Sequence, residues 1–340
     1  MDGDRWPTVA GFLGAIAVLA ALVWLVGIGD IVGALAEIRP AYVAVLLGVV
    51  VCWLFAWGLA LRTVLGALDA PISVPMAGLV FAGAVFSNNV TPFGQAGGEP
   101  VSAYLIARAT DREYETGLAA IASVDALHFV PSLAFAASGL TFILAGAVQL
   151  GRNLAFAATA IAVLAVGLPA AAYVGWHNRY ELEAYVVRVG TPVVQGIGRL
   201  VPRRSAPGAA AIERRIEAFF RAIERVATDR RTLVTALGFS AIGWLAKCLA
   251  LWVALLALGY TVPISVALFV VPMGAVAGMT PLPGGLGGVD FVVGALLLST
   301  TGLPQAVVGA AVLVDRGATY VFPTVVGGGV AFALGADRAV

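Results

Sequence analysis

The stretch Ser87–Glu99, with the sequence SNNVTPFGQAGGE, interrupts an apolar region with a Thr-Pro pair, several glycines and a carboxylate. A related stretch, Thr280–Asp290 (TPLPGGLGGVD), does the same in the second half of the chain. Glycine and proline release backbone N–H and C=O groups from helical hydrogen bonding, and such groups are tolerated at membrane depth only inside protein or beside a water-filled cavity. Paired interruptions of this kind in the two halves of a chain indicate the binding site of a transporter.

The composition around these two stretches is that of a polytopic membrane protein. Of the 340 residues, 61% are hydrophobic and only 11% are charged, whereas a soluble domain has about 25% charged residues. A transmembrane helix needs about 20 apolar residues. Six stretches approach or exceed that length, at 9–28, 40–61, 116–147, 153–174, 232–258 and 304–335. We therefore predict an all-α membrane protein with six long transmembrane helices.

Each broken stretch lies between two short apolar segments, at 75–86 and 101–107 in the first half and at 265–277 and 291–298 in the second. Segments this short do not cross a bilayer, so we predict two re-entrant helical hairpins with the broken stretches at their tips. Sequence matches recur between the halves at an offset near 190 residues, for example Val124-Asp125 with Val314-Asp315. The chain is thus predicted to be one transmembrane domain, 1–340, with internal repeats at about 71–147 and 263–335.

The segment 176–231 is polar and contains eleven arginines. Its apolar residues recur at helical spacing, which predicts basic amphipathic helices lying in the headgroup plane. The positive-inside rule places this segment in the cytoplasm, and the predicted spans then place the N- and C-termini of this cell-membrane protein there as well. Three predicted spans separate the hairpins. Because that number is odd, the second repeat is predicted to be inverted relative to the first.

Several ionisable side chains lie within or beside the apolar segments, where each charge costs about 2.5–3.5 kcal/mol on insertion scales. They are Glu99, Asp125, Lys247, Asp290, Asp315 and Arg316. Pairing of Asp315 or Asp125 with Arg316 or Lys247 would offset this cost. One interpretation is that buried ion pairs join the helices; the other is that the cations bind an anionic group in a central cavity. His128 lies on the same helical face as Asp125 and is either a hydrogen-bonded interior histidine or a proton relay.

The glycines of the two broken stretches allow two interpretations. Consecutive free N–H groups followed by a helix N-terminus form an anion-binding nest, whereas small residues also permit close helix packing in membranes. The candidates are Gly97, Gly98, Gly284, Gly285, Gly287 and Gly288. The second run lacks the Lys-Ser/Thr ending of a nucleotide-binding loop, so it does not indicate ATP. Asn88 and Asn89 are predicted to satisfy freed backbone groups or to contact the ligand.

These motifs resemble those of the flippase-like, lysylphosphatidylglycerol synthase transmembrane-domain family. The matching residues are Asn88, Asn89, Pro92, Gly94, Gly98 and Glu99 in the first stretch, and Pro283, Gly284, Gly285, Gly287, Asp290 and Arg316 further on. The resemblance implies that the chain moves or presents polar lipids across the membrane, and some family members take part in cell-surface glycosylation. Two departures are that Ala126 follows Asp125 where members often carry arginine, and that Asp290 stands where glutamate is usual.

We therefore expect transbilayer translocation, of the flippase or scramblase type, of a polar membrane lipid with an anionic or glycosylated headgroup. Arg316 and Lys247 would meet its phosphate, while the carboxylates would separate these cations or bind headgroup hydroxyls. The alternatives are an ion- or proton-coupled transporter of a small solute and an intramembrane lipid-modifying enzyme. The sequence has no metal-ligand cluster and no nucleophile–base pair, and we expect no aminoacyl-transferase domain after Val340. We accordingly expect no enzymatic activity, cofactor or metal.

The expected partner is a phospholipid or a lipid-linked sugar. A second copy of the chain and a lipid-synthesising enzyme are further candidates for partners. Nucleic acid is excluded, because the sequence contains no basic soluble module that carries aromatic residues.

Overall fold

The computed structural model describes residues 38–91, 94–146, 209–279 and 283–336, with isolated positions at 167, 170, 174, 177, 178 and 181. Within these ranges the regular structure is helical and contains no strand. The α-helices are α1 (Pro40–Ala67), α2 (Val74–Val90), α3 (Gln95–Thr110), α4 (Tyr114–Gly146), α5 (Ala209–Thr228), α6 (Arg230–Ala257), α7 (Ile264–Val276), α8 (Gly288–Thr301), α9 (Gln305–Arg316) and α10 (Phe322–Ala336). The protein is an all-helical polytopic membrane protein.

Five described segments are long and apolar enough to cross a membrane, namely Pro40–Ala67, Tyr114–Ala145, Arg230–Ala257, Pro283–Thr301 and Gln305–Leu334. Four of them correspond to predicted long helices. The predicted helix at 9–28, and nearly all of that at 153–174, lie outside the described residues. The segment Pro283–Thr301 differs from the prediction, which had only a short apolar piece at 291–298. The helix is longer because it starts at Gly288, directly after the glycine run, and continues to Thr301.

The order and length of the helices repeat along the chain. Helices α1 and α6 both have 28 residues and both start and end 190 residues apart, at Pro40 and Arg230 and at Ala67 and Ala257. They also end in the same way, since the residue two positions after each helix has positive φ, 56° at Asp69 and 84° at Gly259. The helices that follow α1 and α6 also correspond in order: α2 to α7, α3 to α8, and α4 to α9 and α10 together. The similarity between the halves therefore begins before the predicted repeat boundaries at 71 and 263.

The two halves are interlocked. Helix α2 of the first half packs against α10 of the second, and α7 of the second half packs against α4 of the first. Glycines allow both crossings, since a Cβ at Gly139 of α4 would lie 2.6 Å from the Ser265 carbonyl oxygen, and one at Gly327 of α10 would lie 2.0 Å from that of Ala82. Each crossing brings the two backbones closer than any larger residue would permit.

Helices α1 and α6 pack side by side and run antiparallel. Asp69, just after the end of α1, forms an ion pair of 2.8 Å with Arg225, just before the start of α6. At the opposite end, Arg39 and Tyr42 share a pocket of about 400 Å³ with residues 256–260, which end α6. The start of each of these two helices therefore lies near the end of the other.

Local sequence signals set the helix boundaries. Pro40 occupies the first turn of α1, where its missing N–H has no partner to lose. Asp229 caps α6 by accepting hydrogen bonds from the Arg231 and Thr232 backbone N–H groups. The Thr232 hydroxyl also donates to this carboxylate, at 2.6 Å. These hydrogen bonds, chiefly those from Thr232, hold the pKa of Asp229 below its ordinary value.

The predicted amphipathic segment is described from residue 209 onward. Helix α5 packs on α4, α6 and α1 near the end where Asp69 meets Arg225. Arg214, Arg221 and Arg225 are exposed, and Arg221 pairs with Glu217 one turn earlier at 3.2 Å. The rest of the predicted segment, apart from positions 177, 178 and 181, lies outside the described residues.

Candidate functional site

The two broken stretches meet in the interior although they are far apart in sequence. The turn Pro283–Gly285 packs against α2, and Gly284 adopts a positive φ of 57°. A Cβ at Gly284 would lie 2.3 Å from the Tyr320 ring and 3.0 Å from the Asn89 side-chain oxygen. Only glycine fits this position, because it must both adopt left-handed backbone geometry and leave room for two neighbours.

Tyr320 and Thr324, in the last helical segment, form hydrogen bonds with Asn89 at the end of α2. The Asn89 amide donates to the Thr324 hydroxyl at 2.8 Å, and the Tyr320 hydroxyl donates to the Asn89 carbonyl oxygen at 2.9 Å. The backbone group freed at the end of α2 is thus satisfied by a tyrosine from the other half of the chain. The sequence analysis did not include Tyr320 or Thr324 in the site, although Tyr320 lies one helical turn after Arg316.

Asn88 has a different environment from Asn89. Its side-chain oxygen is buried and has no hydrogen-bond partner in the described part of the chain. A Cβ at Gly98 would lie 2.0 Å from this oxygen, so Gly98 allows α3 to pack directly against the end of α2. Gly97 and Glu99, which flank it, are partly exposed.

An ion pair between Asp290 and Arg316 lies beside this meeting point. Asp290 is 2% exposed, and its carboxylate accepts from the Arg316 Nε–H and, at 2.7 Å, from the Gly287 backbone N–H. The predicted anion nest at Gly284, Gly285, Gly287 and Gly288 is therefore next to a carboxylate of the chain itself. That carboxylate accepts the hydrogen bond of the Gly287 N–H and caps α8, so this N–H already has an anionic partner.

The predicted ion-pair partners of Arg316 were wrong. Arg316 pairs with Asp290 rather than with Asp315 or Asp125. The reason is geometric, because successive residues on a helix point in different directions and do not face each other. Asp315 instead lies near the Thr319 hydroxyl, at 3.5 Å, and its other oxygen is buried without a hydrogen-bond partner among the described residues.

The last helix is interrupted immediately after Arg316. A π-helical turn, Gly317–Val321, separates α9 from α10 where one continuous helix was predicted. Pro323 lacks the N–H that would continue the regular ladder, and π-turns are frequent at functional sites. The interruption places the Arg316 guanidinium 5.8 Å from the Tyr320 ring centroid. Arg316 Nη2 is buried and has no hydrogen-bond partner in the described part of the chain.

Lys247, the sole lysine of the sequence, lies among three tryptophans. Its Nζ is 4.9 Å from the ring centroid of Trp53 and 5.3 Å from those of Trp57 and Trp244. Aromatic faces attract cations, and more strongly where water is excluded. Within the described ranges no carboxylate oxygen forms an ion pair with this ammonium. We call Trp53, Trp57 and Trp244 the tryptophan box.

The tryptophan box is held in place by the neighbouring helices. Trp57 donates to the Ser240 carbonyl oxygen at 3.1 Å, and Trp244 donates to that of His128 at 2.8 Å. Gly243 makes room for Trp57, because a Cβ there would lie 2.1 Å from its indole nitrogen. The sequence analysis included Lys247 but none of the three rings. Trp53 and Trp57, four residues apart in an apolar helix, were the available signal.

Asp125 and His128 form a second polar group, on α4. Asp125 Oδ1 lies 3.9 Å from His128 Nδ1, and both side chains are nearly buried, at 12% and 8% exposure. The His128 ring stacks on Trp57 with a centroid distance of 4.0 Å. Glu99 and Gln95, from α3, are the polar neighbours of Asp125. The structure thus pairs Asp290 with Arg316 and brings Asp125 near His128, while Lys247 lies in the tryptophan box next to His128's stacking partner Trp57.

Comparisons with known proteins show the family to which the chain is similar over most of its length. The sequence model of the family described as "Lysylphosphatidylglycerol synthase TM region" matches residues 12–327. A UPF0104 membrane protein of Methanothermobacter thermautotrophicus is 27% identical over 330 residues, covering 95% of this chain and 92% of its own. A second protein of that name from the same organism is 28% identical over 316 residues, covering 89% and 88%. A UPF0104 membrane protein of Pyrococcus horikoshii is 26% identical over 325 residues, covering 92% and 93%.

Proposed function

We propose that this chain, which belongs to the lysylphosphatidylglycerol synthase TM-region family, translocates a polar membrane lipid between the two leaflets of the cell membrane. The headgroup, anionic or glycosylated, would occupy a central polar site while the acyl chains stay in the bilayer. One observation carries the proposal. Two glycine-rich breaks from opposite halves of the chain meet beside a buried ion pair, and Nη2 of its arginine has no hydrogen-bond partner among the described residues.

The packing of the two halves supports an inverted-repeat transporter architecture. Counterpart helices that run antiparallel, as α1 and α6 do, would have opposite directions across a bilayer. On this proposal the α2–α3 hairpin enters from the cytoplasmic face and the α7–α8 hairpin from the opposite face, with both broken stretches near the midplane. Binding sites of inverted-repeat transporters lie at the interface between the repeats, where discontinuous helices supply backbone groups.

Arg316 is the residue we assign to the headgroup phosphate. Its Nε is held by Asp290, so the guanidinium is oriented before a ligand arrives, and Nη2 remains as a donor. A guanidinium offers paired N–H donors that match phosphate oxygens. Lys247 would add a second positive charge, since its ammonium is stabilised by indole faces and keeps its N–H donors. The two cations influence each other electrostatically, and on this proposal both would face the headgroup.

The test is lipid translocation by the purified chain in vesicles, using lipids that carry a fluorophore on an acyl chain and a panel of neutral, anionic and glycosylated headgroups. A hydrogen bond to a charged group contributes about 1.5–3 kcal/mol, so Arg316→Ala should slow translocation of an anionic lipid by roughly 10–100-fold. Arg316→Lys should retain part of the rate. Arg221→Ala, on the exposed face of α5, is the matched control and should behave as wild type.

Two results would count against the assignment. Arg316→Ala that is folded, as judged by circular dichroism and size-exclusion chromatography, and that moves every lipid at the wild-type rate would remove Arg316 from the mechanism. Equal translocation of all headgroups, abolished by neither variant, would show passive lipid scrambling without this site. Mass spectrometry of the recovered lipid distinguishes translocation from chemical modification.

A further inference from the structure

The buried charges of the interior divide into a balanced group and an acidic group. Asp290, Asp315, Lys247 and Arg316 interact electrostatically and contain two carboxylates and two cations. Glu99 and Asp125 form the other group, and within the described ranges neither has an arginine or lysine within ion-pair distance. If both were ionised, this region would carry uncompensated negative charge inside the protein. Such charge is costly and is commonly neutralised by a bound proton or cation.

The geometry of Asp125 and His128 is suited to holding a proton. The two side chains project from one face of α4, with Oδ1 and Nδ1 separated by 3.9 Å. Their remaining polar atoms, Asp125 Oδ2 and His128 Nε2, are buried and have no hydrogen-bond partner in the described part of the chain. A small movement of either ring or carboxylate would bring the facing atoms from 3.9 Å to hydrogen-bond distance.

Among the described residues, few charged groups face this pair. Helix α3 contributes Glu99, and also the uncharged Gln95. Helix α6 contributes Lys247, whose positive charge influences His128 electrostatically across the tryptophan box. Helices α1 and α2 contribute Trp57 and Phe81, whose rings contact His128 and do not titrate.

Glu99 connects the pair to the edge of the helix bundle. It is half-buried, and its carboxyl group influences both Asp125 and Tyr114, the first residue of α4, electrostatically. Because Glu99 is more exposed than Asp125 or His128, it is the group of the three at which water can deliver a proton.

We propose that Asp125 and His128, served by Glu99, form a proton-binding site, and that proton binding there is coupled to lipid translocation. The first part stands on its own; the coupling rests on the proposed function. The step is a transfer of one proton from water to the carboxylate–imidazole pair and its later release on the other side, with no other bond formed or broken. Trp57 provides the physical link, because it stacks on His128 and also faces the Lys247 ammonium.

Proton binding can be measured without any transport. Protonated imidazole quenches indole fluorescence more strongly than neutral imidazole, so the intrinsic fluorescence of the purified full chain should show a pH transition originating at Trp57. Trp57→Phe should remove this transition and His128→Gln should abolish it. Asp125→Asn should move it to lower pH by about 1 unit, since a nearby opposite charge shifts a titration by about 1–3 units. A transition that is the same in His128→Gln and Asp125→Asn as in wild type would overturn the site.

Coupling is tested by lipid translocation in vesicles with and without an imposed pH gradient. The gradient should accelerate translocation by wild type and by Asp111→Asn, a matched control in the exposed α3–α4 loop, and should have no effect on Asp125→Asn. If wild type translocates lipid at a rate independent of the gradient, the coupling is refuted. If no variant translocates any lipid, the proposed function fails, and the fluorescence titration then decides the proton site by itself.

Discussion

Replacement of Asp290 by asparagine tests whether the ion pair with Arg316 holds the two broken stretches in place. The wild-type carboxylate accepts from the Arg316 Nε–H and from the Gly287 backbone N–H. Asparagine preserves the shape of the side chain but has one acceptor oxygen and no charge. Asp290→Asn therefore leaves the Arg316 guanidinium without its counter-charge and leaves one of the two donors without an acceptor.

The expected loss of stability follows from the burial of the pair. Removing one partner of a buried ion pair costs about 3–5 kcal/mol. The Arg316 side chain is 17% exposed and that of Asp290 1%, so some solvation of the arginine survives. We accordingly expect the lower end, about 3 kcal/mol. Asp290→Asn combined with Arg316→Gln should be less destabilised than the sum of the single variants, because the stranded charge is gone.

Reversible unfolding of the purified protein in mixed detergent–SDS micelles, followed by circular dichroism, measures these differences. The control is the exposed pair Glu217 and Arg221 on α5, for which Glu217→Gln should cost about 0.3–0.5 kcal/mol. The reasoning is refuted if Asp290→Asn and Glu217→Gln have the same effect. It is equally refuted if the effects of Asp290→Asn and Arg316→Gln are additive in the double variant.

Three further predictions concern packing, the tryptophan box and pH. Gly327→Ala should destabilise the protein strongly in the same unfolding assay, because the added Cβ meets the backbone of α2, whereas Gly329→Ala, with nothing within 4 Å of the added atom, should be neutral or slightly stabilising. Trp53→Ala should increase the rate at which an amine-specific reagent acylates Lys247, as measured by mass spectrometry of the peptide containing this sole lysine. Because the folded-state pKa of Asp229 lies below its ordinary value, its capping stabilisation is present above a pH of about 4 and is lost as pH falls through the folded-state pKa; the difference in melting temperature between wild type and Asp229→Ala should therefore vanish in acid.

Much of the backbone could be predicted because it depends on local signals. Length and apolar content specify α1, α4 and α6, and the Thr-Pro and glycine clusters mark where α2 ends and where α8 begins. The counterpart relation between α1 and α6 was missed for a physical reason. Matching helices need to preserve length and ends but not side chains, and residue 57 is tryptophan where its counterpart, residue 247, is lysine.

The site was predicted less completely because its contacts depend on how distant segments approach one another. Charged residues in apolar stretches were identifiable because a charge inside a membrane carries a free-energy cost, so Arg316, Asp290 and Lys247 were found. Their partners were not, since no sequence pattern states that Tyr320 will reach Asn89 across more than 200 positions. The tryptophan box was also missed, because tryptophan in an apolar helix is expected for packing alone and its relation to a lysine in another helix is set by the crossing of α1 and α6.

The two halves of the chain have helices in the same order but carry chemically different side chains, and this difference bears on the mechanism. Asp125 and Asp315 are counterparts, but Ala126 follows the first and Arg316 follows the second. The second half therefore carries the balanced group that we assign to the headgroup, while the first half keeps the carboxylate that we assign to the proton. Trp57 of the first half touches both groups, through His128 and through Lys247. Because Trp57 on α1 contacts His128 on α4 and faces Lys247 on α6, a displacement of α1 relative to both helices changes the two contacts together. A Trp57→Ala variant should therefore still bind lipid and proton yet lose the effect of a pH gradient on translocation.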